Sequence, residues 1–517
     1  MKQRLLFITA LCLSGQLVAQ NHSPEVIYHV FQRSFYDSNG DGQGDLPGLT
    51  EKLGELQDLG ATSLQLLPLY QSSFYHNYFA SDFKKIDPRF GTTEDFLTLV
   101  KEAHRRGMKI YLDMETQYVT EDHPWFKESL NNPSSPYTHY LVYNGPGNTQ
   151  PETIIFNLTE LTGYNGTKKK VTTVNLLDAD VLKYNVDLFH YFMDPNGDGK
   201  FEDGVDGFRL DHMMDDLDWK GKFKDLFKKF WTPLLSQLKA INPKIKIVAE
   251  QANWGSWGQE YFRDAGVDRV FAFRLMGGIA SFDKKKLSDA VDSTYLMTPF
   301  GHDQVVFIEN HDMQRFSSLV HGDPGKLRVG AALNILVGRV PAIYYGQELG
   351  MFGAGGFGKF GNTDGNDIPM REAYEWYASD EGKGMALWYK NTGPWWDQTN
   401  LKPNDGISLE EEKGNPNSLY TYYKKLLAIR KAHHSLSLGD YKQASTDGDK
   451  VFAFTRTAVG DKTLVVVNLS DKDVTVNIDL PATTHATALL GKSGEFDFSD
   501  SMKTSLPPYG VEVYQIR

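Results

Sequence analysis

The chain has 517 residues, 40% of them hydrophobic and 23% charged, so two or three soluble globular domains are expected rather than one small core. A formal net charge of −12 argues against nucleic acid or anionic membrane as the main partner. Aromatic content of 13%, with 26 Tyr and 9 Trp, points to a surface that handles flat apolar faces.

Residues 1–20 read as a secretory leader: Lys2 and Arg4, an apolar run from Leu5, then Leu17-Val18-Ala19 as a cleavage site. The run is too short for a membrane span. Bulky Leu11 before Cys12 argues against lipid attachment. Cys12 is the only cysteine, so the mature chain is expected to hold no disulfide, thiol nucleophile or thiolate metal site. A periplasmic or secreted protein without a membrane span is expected, acting as a monomer.

From Glu25 onward, short apolar runs alternate with longer amphipathic ones. Strands are predicted at Val26–Phe31, Thr62–Leu67, Lys109–Leu112, Phe208–Leu210, Ile245–Ala249, Val270–Phe273, Val305–Ile308 and Ala342–Tyr345. Helices are predicted at Leu46–Leu59, Phe96–Arg105, Val181–Phe192, Phe223–Leu238 and Leu327–Leu336. Apolar, β-branched strands alternating with helices imply a parallel sheet covered on both faces. About eight such units favour a closed (β/α)₈ barrel, the TIM-barrel architecture. An open doubly wound sheet would want a glycine-rich phosphate turn after its first strand, and none is present.

Two regions break the rhythm. Residues 115–175, after the third strand, are rich in Asn, Pro, Thr and Tyr and are expected to form a small inserted domain. Residues 350–415 are rich in Gly, Asp and Trp and read as a long loop. A last helix, Leu419–Ala432, closes a barrel unit spanning 21–435. Alternating runs such as Val451–Thr455 and Thr463–Leu469 mark 440–517 as a C-terminal antiparallel β-sandwich.

Asp113, Asp211, Glu250 and Asp312 each follow a predicted barrel strand, on the end of the fold where barrel active sites lie. Arg209 stands two residues before Asp211, hence on the same face of its strand. A structural ion pair would account for that pair alone. Four strand-end carboxylates, joined by Arg209 and His311 and lacking any cofactor motif, suit glycoside hydrolysis instead. That reaction needs one carboxylate nucleophile and one carboxyl proton donor.

The same segments resemble the α-amylase superfamily, glycoside hydrolase family thirteen, over nearly the whole mature chain. Gly207-Phe208-Arg209-Leu210-Asp211 is similar to its nucleophile region and Ile247-Val248-Ala249-Glu250 to its acid/base region. Phe307-Ile308-Glu309-Asn310-His311-Asp312 is similar to the third-carboxylate region, and Val174-Asn175-Leu176 to the region ending the inserted domain. His76-Asn77-Tyr78, followed by Asp87-Pro88-Arg89-Phe90-Gly91, resembles the segment whose tyrosine stacks on the sugar being cleaved.

The resemblance implies Asp211 as nucleophile, Glu250 as acid/base and Asp312 as the carboxylate that grips and distorts the ring. It implies Tyr78, Arg209 and His311 as substrate contacts. Where the family usually has Asp-x-x-x-Asn-His, this chain has Asp113 to Tyr118, with Gln117 for the asparagine and Tyr118 for the histidine that touches substrate.

Asp37, Asn39, Asp41, Gln43 and Asp45 place oxygen ligands at alternate positions with glycine at the sixth, as a hard cation requires. Structural Ca²⁺ is expected there. Asp194, Asn196, Asp198, Lys200 and Asp203 repeat the pattern, as a second loop that is either a metal site or a solvated acidic turn. Trp254, Trp257, Trp395 and Trp396 are candidates for stacking on glucosyl rings, though core packing is the commoner fate of a tryptophan.

The expected activity is retaining hydrolysis of α-1,4 links in an α-glucan or malto-oligosaccharide substrate. Phe79 after Tyr78, in place of the acidic residue of exo-acting relatives, points to attack at internal bonds. The alternatives are an exo-acting α-glucosidase, a 4-α-glucanotransferase, and a glycan-binding relative without activity.

Overall fold

The computed structural model describes residues 24–517; the leader expected over residues 1–20, with Cys12, lies outside the described residues. Eight parallel strands close into a barrel. In chain order they are Ile27–Val30, Ser63–Leu66, Lys109–Met114, Gly207–Met213, Lys246–Gln251, Arg269–Phe271, Asp303–Val306 and Val340–Tyr344. Ile27 sits opposite both Ser63 and Ala342, so the first strand joins the second to the eighth and no edge is left. All eight predicted strands are present, shifted by at most a few residues at their ends.

The N-terminal end of the barrel is pinned by Glu25. Its Oε1 accepts from the hydroxyls of Ser63 and Tyr111, and its Oε2 lies 2.6 Å from Arg269. That carboxyl ties four barrel segments together at the face opposite the strand-end carboxylates. Its role is structural.

The first barrel helix, Leu46–Leu59, starts where Asp45 accepts from the Gly48 amide and stops at Gly60, whose φ of 117° suits glycine alone. Thr92 and Asp95 form a capping box on Thr93–Arg105. The helix predicted at Phe223–Leu238 begins later, as a π-turn over Phe227–Trp231 that runs into Thr232–Ile241.

Two helices, Phe273–Ala280 and Lys284–Met297, were not anticipated. Gly277-Gly278 interrupts the helical signal in the sequence. In the fold, a Cβ on Gly278 would lie 2.7 Å from that of Ala290, so glycine is what lets the two helices approach.

A five-stranded sheet stands beside the barrel mouth, in the order Tyr70–Ser72, Ala80–Ile86, Tyr118–Thr120, Lys168–Thr173, Glu160–Thr162. Three of its strands fall within residues 115–175, and two come from the connection after the second barrel strand. The 350–415 region has short helical turns and is moored by tryptophans: Trp376 donates to the Phe35 carbonyl at 2.6 Å and Trp388 to the Ser34 hydroxyl at 2.8 Å.

Beyond Leu438 the chain forms a six-stranded antiparallel sheet and a two-stranded one. Buried Arg456 donates to the carbonyls of Val337 and Gly439, so one guanidinium spans the end of a barrel helix and the C-terminal unit.

Candidate active site

The carboxylates meet at the C-terminal mouth of the barrel, around Arg209. This arginine is 1% exposed in the fourth strand, beside Asp113 of the third. Its Nη1 donates to Asp113 Oδ2 at 2.6 Å and to Asp211 Oδ1 at 2.5 Å, while Nη2 lies 2.8 Å from Glu250 Oε2. One guanidinium therefore serves three carboxylates. Its planar fork is the side-chain geometry able to do so.

Asp312 closes the opposite side. Its Oδ2 lies 3.0 Å from His311 Nε2, and its Oδ1 accepts from Arg371 Nη2 at 2.9 Å. The Tyr78 hydroxyl links both halves: it donates to Asp113 at 2.7 Å, accepts from Arg209 at 3.2 Å and lies 2.8 Å from His311 Nε2. Asp211, Glu250, Asp312, Tyr78, Arg209 and His311 thus form one network.

Their environments set the carboxyls apart. Burial pushes Asp211 up to about 6; Arg209 pulls it down, while the charges of Asp113 and Asp312 push further up. Burial also raises Glu250, opposed by Arg209 and assisted by Asp211. Burial works against Asp312 as well, but His311 and then Arg371 hold it well below the ordinary carboxylate range. Asp312 keeps 31% of its side chain exposed and Glu250 only 8%, so Asp312 faces the opening and Glu250 lies deeper. Carboxyls driven apart in this way can divide the roles of anion and acid.

Tyr118 joins the site from the side. Its hydroxyl donates to Asp218 at 2.5 Å, away from the Arg209 cluster. His212 Nε2 lies 3.3 Å from the same Asp218 oxygen, and Lys220 Nζ lies 3.1 Å from the other. The His212 amide in turn donates to Glu250 Oε2 at 3.1 Å. Burial opposes the charge of Asp218, but the hydrogen bonds from His212 and Tyr118 keep its carboxyl low.

Gln117 is tied to the nucleophile strand. Its Nε2 donates to the Asp211 carbonyl at 2.6 Å and its Oε1 accepts from the Thr116 amide at 2.8 Å.

Several residues of the site went unnoticed in the sequence. Arg371 and Asp367 lie in the 350–415 region, where no periodicity marks them, yet Arg371 reaches both Asp312 and the His311 carbonyl. Asp367 lies 3.6 Å from Arg371. Asp364 is buried beside His76, with neither carboxylate oxygen hydrogen-bonded. The 215–221 loop, which supplies Asp218 and Lys220, offered only an excess of charge.

In the 37–45 loop, Asp37 is buried and accepts from the amides of Asn39, Gly40 and Gly42. Asn39 and Asp41 each accept from the amide two residues on, and Asp45 accepts from Ser38. Gln43 turns its side-chain oxygen to Arg33, leaving its backbone carbonyl for the loop. Among the described residues no lysine or arginine pairs with Asp37, Asp41 or Asp45.

In the second loop, Asp194 accepts from the amides of Asp198 and Gly199, and Asp203 accepts from the Asn196 amide. Lys200 places its ammonium 3.1 Å from Asp198, so that carboxylate already has a counter-ion. Elsewhere His139, Asp178 and Asp180 bring one ligand atom each within 4.8 Å of the others, at an exposed junction with a barrel helix.

Of the four tryptophans, Trp395 is buried and donates to the Thr392 hydroxyl. Trp396 packs on Tyr389, and Trp257 lies under Arg274. Trp254 is 41% exposed and stacked on Phe273 at 4.8 Å, which leaves one face free.

The family model described as "Alpha amylase, catalytic domain" matches residues 29–439, and that described as "Maltogenic Amylase, C-terminal domain" matches residues 441–513. Alpha-amylase 3 of Dictyoglomus thermophilum is 30% identical over 496 residues, 92% of each chain. Oligo-1,6-glucosidase of Parageobacillus thermoglucosidasius is 28% identical over 95% of this chain and 98% of its own. The crystal structure of the α-amylase from H. orenii superposes with a TM-score of 0.78 at 25% identity, covering 95% of this chain and 99% of that one.

Proposed function

The chain belongs to the α-amylase family of glycoside hydrolases, and from that premise we propose an exported, retaining α-glucan hydrolase that attacks internal α-1,4 bonds of starch-like polymers or malto-oligosaccharides. The observation that carries this reading is the shared guanidinium: Arg209 holds Asp211 and Glu250 side by side. Adjacent carboxyls suit the double displacement of a retaining enzyme, which wants them about 5–5.5 Å apart with no water between them.

In the proposed reaction an Asp211 oxygen attacks the anomeric carbon while Glu250 gives its proton to the departing glycosidic oxygen. Glu250, now a carboxylate, takes a proton from water, and that water displaces Asp211. Asp312, kept ionised by His311 and Arg371, accepts from ring hydroxyls and holds the sugar in a strained shape. Tyr78, stacked on His311 at 5.7 Å, offers its ring to the same sugar.

Support for internal attack comes from Phe79, whose ring lies beside Tyr118 and His76 next to Tyr78. An aromatic there offers a face to the next glucose, where an acid would grip a chain end. The deciding experiment follows viscosity of soluble starch against reducing ends released. Viscosity should collapse while few reducing ends have formed; glucose appearing first, at nearly constant viscosity, would assign terminal cleavage instead.

The residues of the 37–45 loop fit Ca²⁺: oxygen donors at alternate positions, a buried carboxylate, and, among the described residues, no lysine or arginine paired with its three carboxylates. Asp37, Asn39, Asp41, the Gln43 carbonyl and Asp45 would hold it. Because Asp45 also caps the first barrel helix, the ion would fasten that helix and take no part in bond cleavage. Calcium should therefore raise the melting temperature, by about 2.7 kcal/mol of stabilisation at a hundredfold excess over Kd. Asp37→Ala should remove the response. A chelated and a calcium-loaded sample that melt together, with no metal by elemental analysis, would refute the site.

A further inference from the structure

Phe156 and Phe357 are 75% and 86% exposed, yet their ring centroids lie 6.4 Å apart although the chain separates them by two hundred residues. Solvent-facing phenylalanines that find one another gain little from the core, and contiguous exposed apolar surface marks a binding site. Phe156 sits in a one-turn helix, Ile155–Asn157, with φ of 58°. That left-handed conformation is strained for a bulky side chain, and with three-quarters of the residue in solvent no packing repays it.

Each ring is tied to a different wall of the active-site cleft. Behind Phe156, the carbonyls of Thr153 and Ile154 accept from Lys220 Nζ, at 2.5 and 3.0 Å. Lys220 lies on Asp218, which also takes Tyr118 and His212, and the His212 amide reaches Glu250. Behind Phe357, the Gly356 amide donates to the Asn366 carbonyl. A Cβ on Gly355 would meet that same carbonyl at 2.4 Å, so the loop lies directly on the segment carrying Asp367 and Arg371. Arg371 ends on Asp312. The pair thus joins the Glu250 side of the mouth to the Asp312 side.

From this placement we infer that Phe156 and Phe357 form a distal stacking site for an α-glucan chain, holding glucosyl units beyond those that touch the carboxylates. The inference rests on the α-glucan reading above and extends it to chain length. The two ring planes are inclined by 41° and both residues are largely in solvent, so the pair presents a bent rather than a flat aromatic surface. The apolar C–H faces of glucose stack on aromatic rings, and a bent pair of rings follows a curved glucan better than one flat ring. Glycines 356, 358 and 361 around Phe357 have open space where a Cβ would stand, so its turn is not packed in place.

The test uses the full chain carrying Asp211→Asn, so that bound glucan is not turned over. Calorimetric affinities for maltotriose and maltoheptaose are compared with and without the added pair Phe156→Ala and Phe357→Ala. Removing both rings should weaken maltoheptaose about tenfold and leave maltotriose within twofold, and Phe357→Tyr should keep the parental value. Equal affinities for maltoheptaose with and without the rings would overturn the site. Equal loss for both sugars would place the rings next to the reacting unit and overturn the distal assignment. A parental protein that binds neither sugar would refute the α-glucan reading itself, and the stacking site with it.

Discussion

Asp211→Asn is expected to lower turnover of any α-glucan by at least about a thousandfold while leaving glucan binding and the melting temperature close to wild type. The substitution changes one oxygen for an NH₂ group and little volume. It removes the only Asp211 oxygen charge available to attack carbon, and chemistry stops there. Binding should survive, because the grip on the ring is assigned to Asp312, Tyr78 and His311, which the change does not touch. The same assignment fixes the acid limb of the wild-type profile. Asp211 must be ionised to attack, and burial sets its carboxyl at about 6, so kcat/KM should fall as pH drops through that region. Turnover by the variant within tenfold of wild type, at any pH, would take Asp211 out of the role.

The barrel was legible because a buried parallel strand has no solvated face to alternate with. Val305–Ile308 and Ile247–Ala249 read as unbroken apolar runs, and each ends abruptly on polar residues at the mouth. The carboxylates were legible for the same reason, since a charge just past such a run can only sit where the strand leaves the core. Arg209 was the clearest of these signals, a full charge inside an apolar strand, sustained by the three carboxylates gathered on it.

What stayed hidden depends on contacts between distant segments. Nothing near Arg371 says that it will cross to Asp312, because its partner lies 59 residues earlier and the loop between has no period. Tyr118 shows the limit differently. Its position was found by resemblance, but its direction was set by Asp218, a hundred residues on, whose own placement needs His212 and Lys220. The strands Tyr70–Ser72 and Ala80–Ile86 were missed because their pairing slips register twice in three residues, which erases a two-residue alternation. Phe156 and Phe357 looked like ordinary loop residues until the fold set them side by side.

Arg209 is where stability and chemistry meet, and Arg209→Lys should damage both. An ammonium is a compact charge without the planar fork, so it can stay close to one or two of the oxygens that Arg209 serves but not to Asp113, Asp211 and Glu250 together. At least one buried carboxylate would lose its partner, and breaking a buried pair in this way destabilises by about 3–5 kcal/mol. The sign of the pH dependence follows from the carboxyls themselves. Burial already raises Asp211 and Glu250 with Arg209 present, and Arg209 is the main force holding them down. Weakening it would raise their folded-state values further, so the folded variant binds more protons than the unfolded chain and loses stability as pH rises. The gap in melting temperature between variant and wild type should therefore be smaller at pH 5 than at pH 8. Activity should drop by about a hundredfold or more, because a nucleophile that keeps its proton cannot attack. Thermal unfolding at the two pH values, with initial rates on maltoheptaose, measures both effects. A variant whose melting gap is the same at pH 5 and pH 8 would mean that Arg209 does not govern the charge of these carboxyls, and the division of roles among them would have to rest on Arg371 and His311 alone.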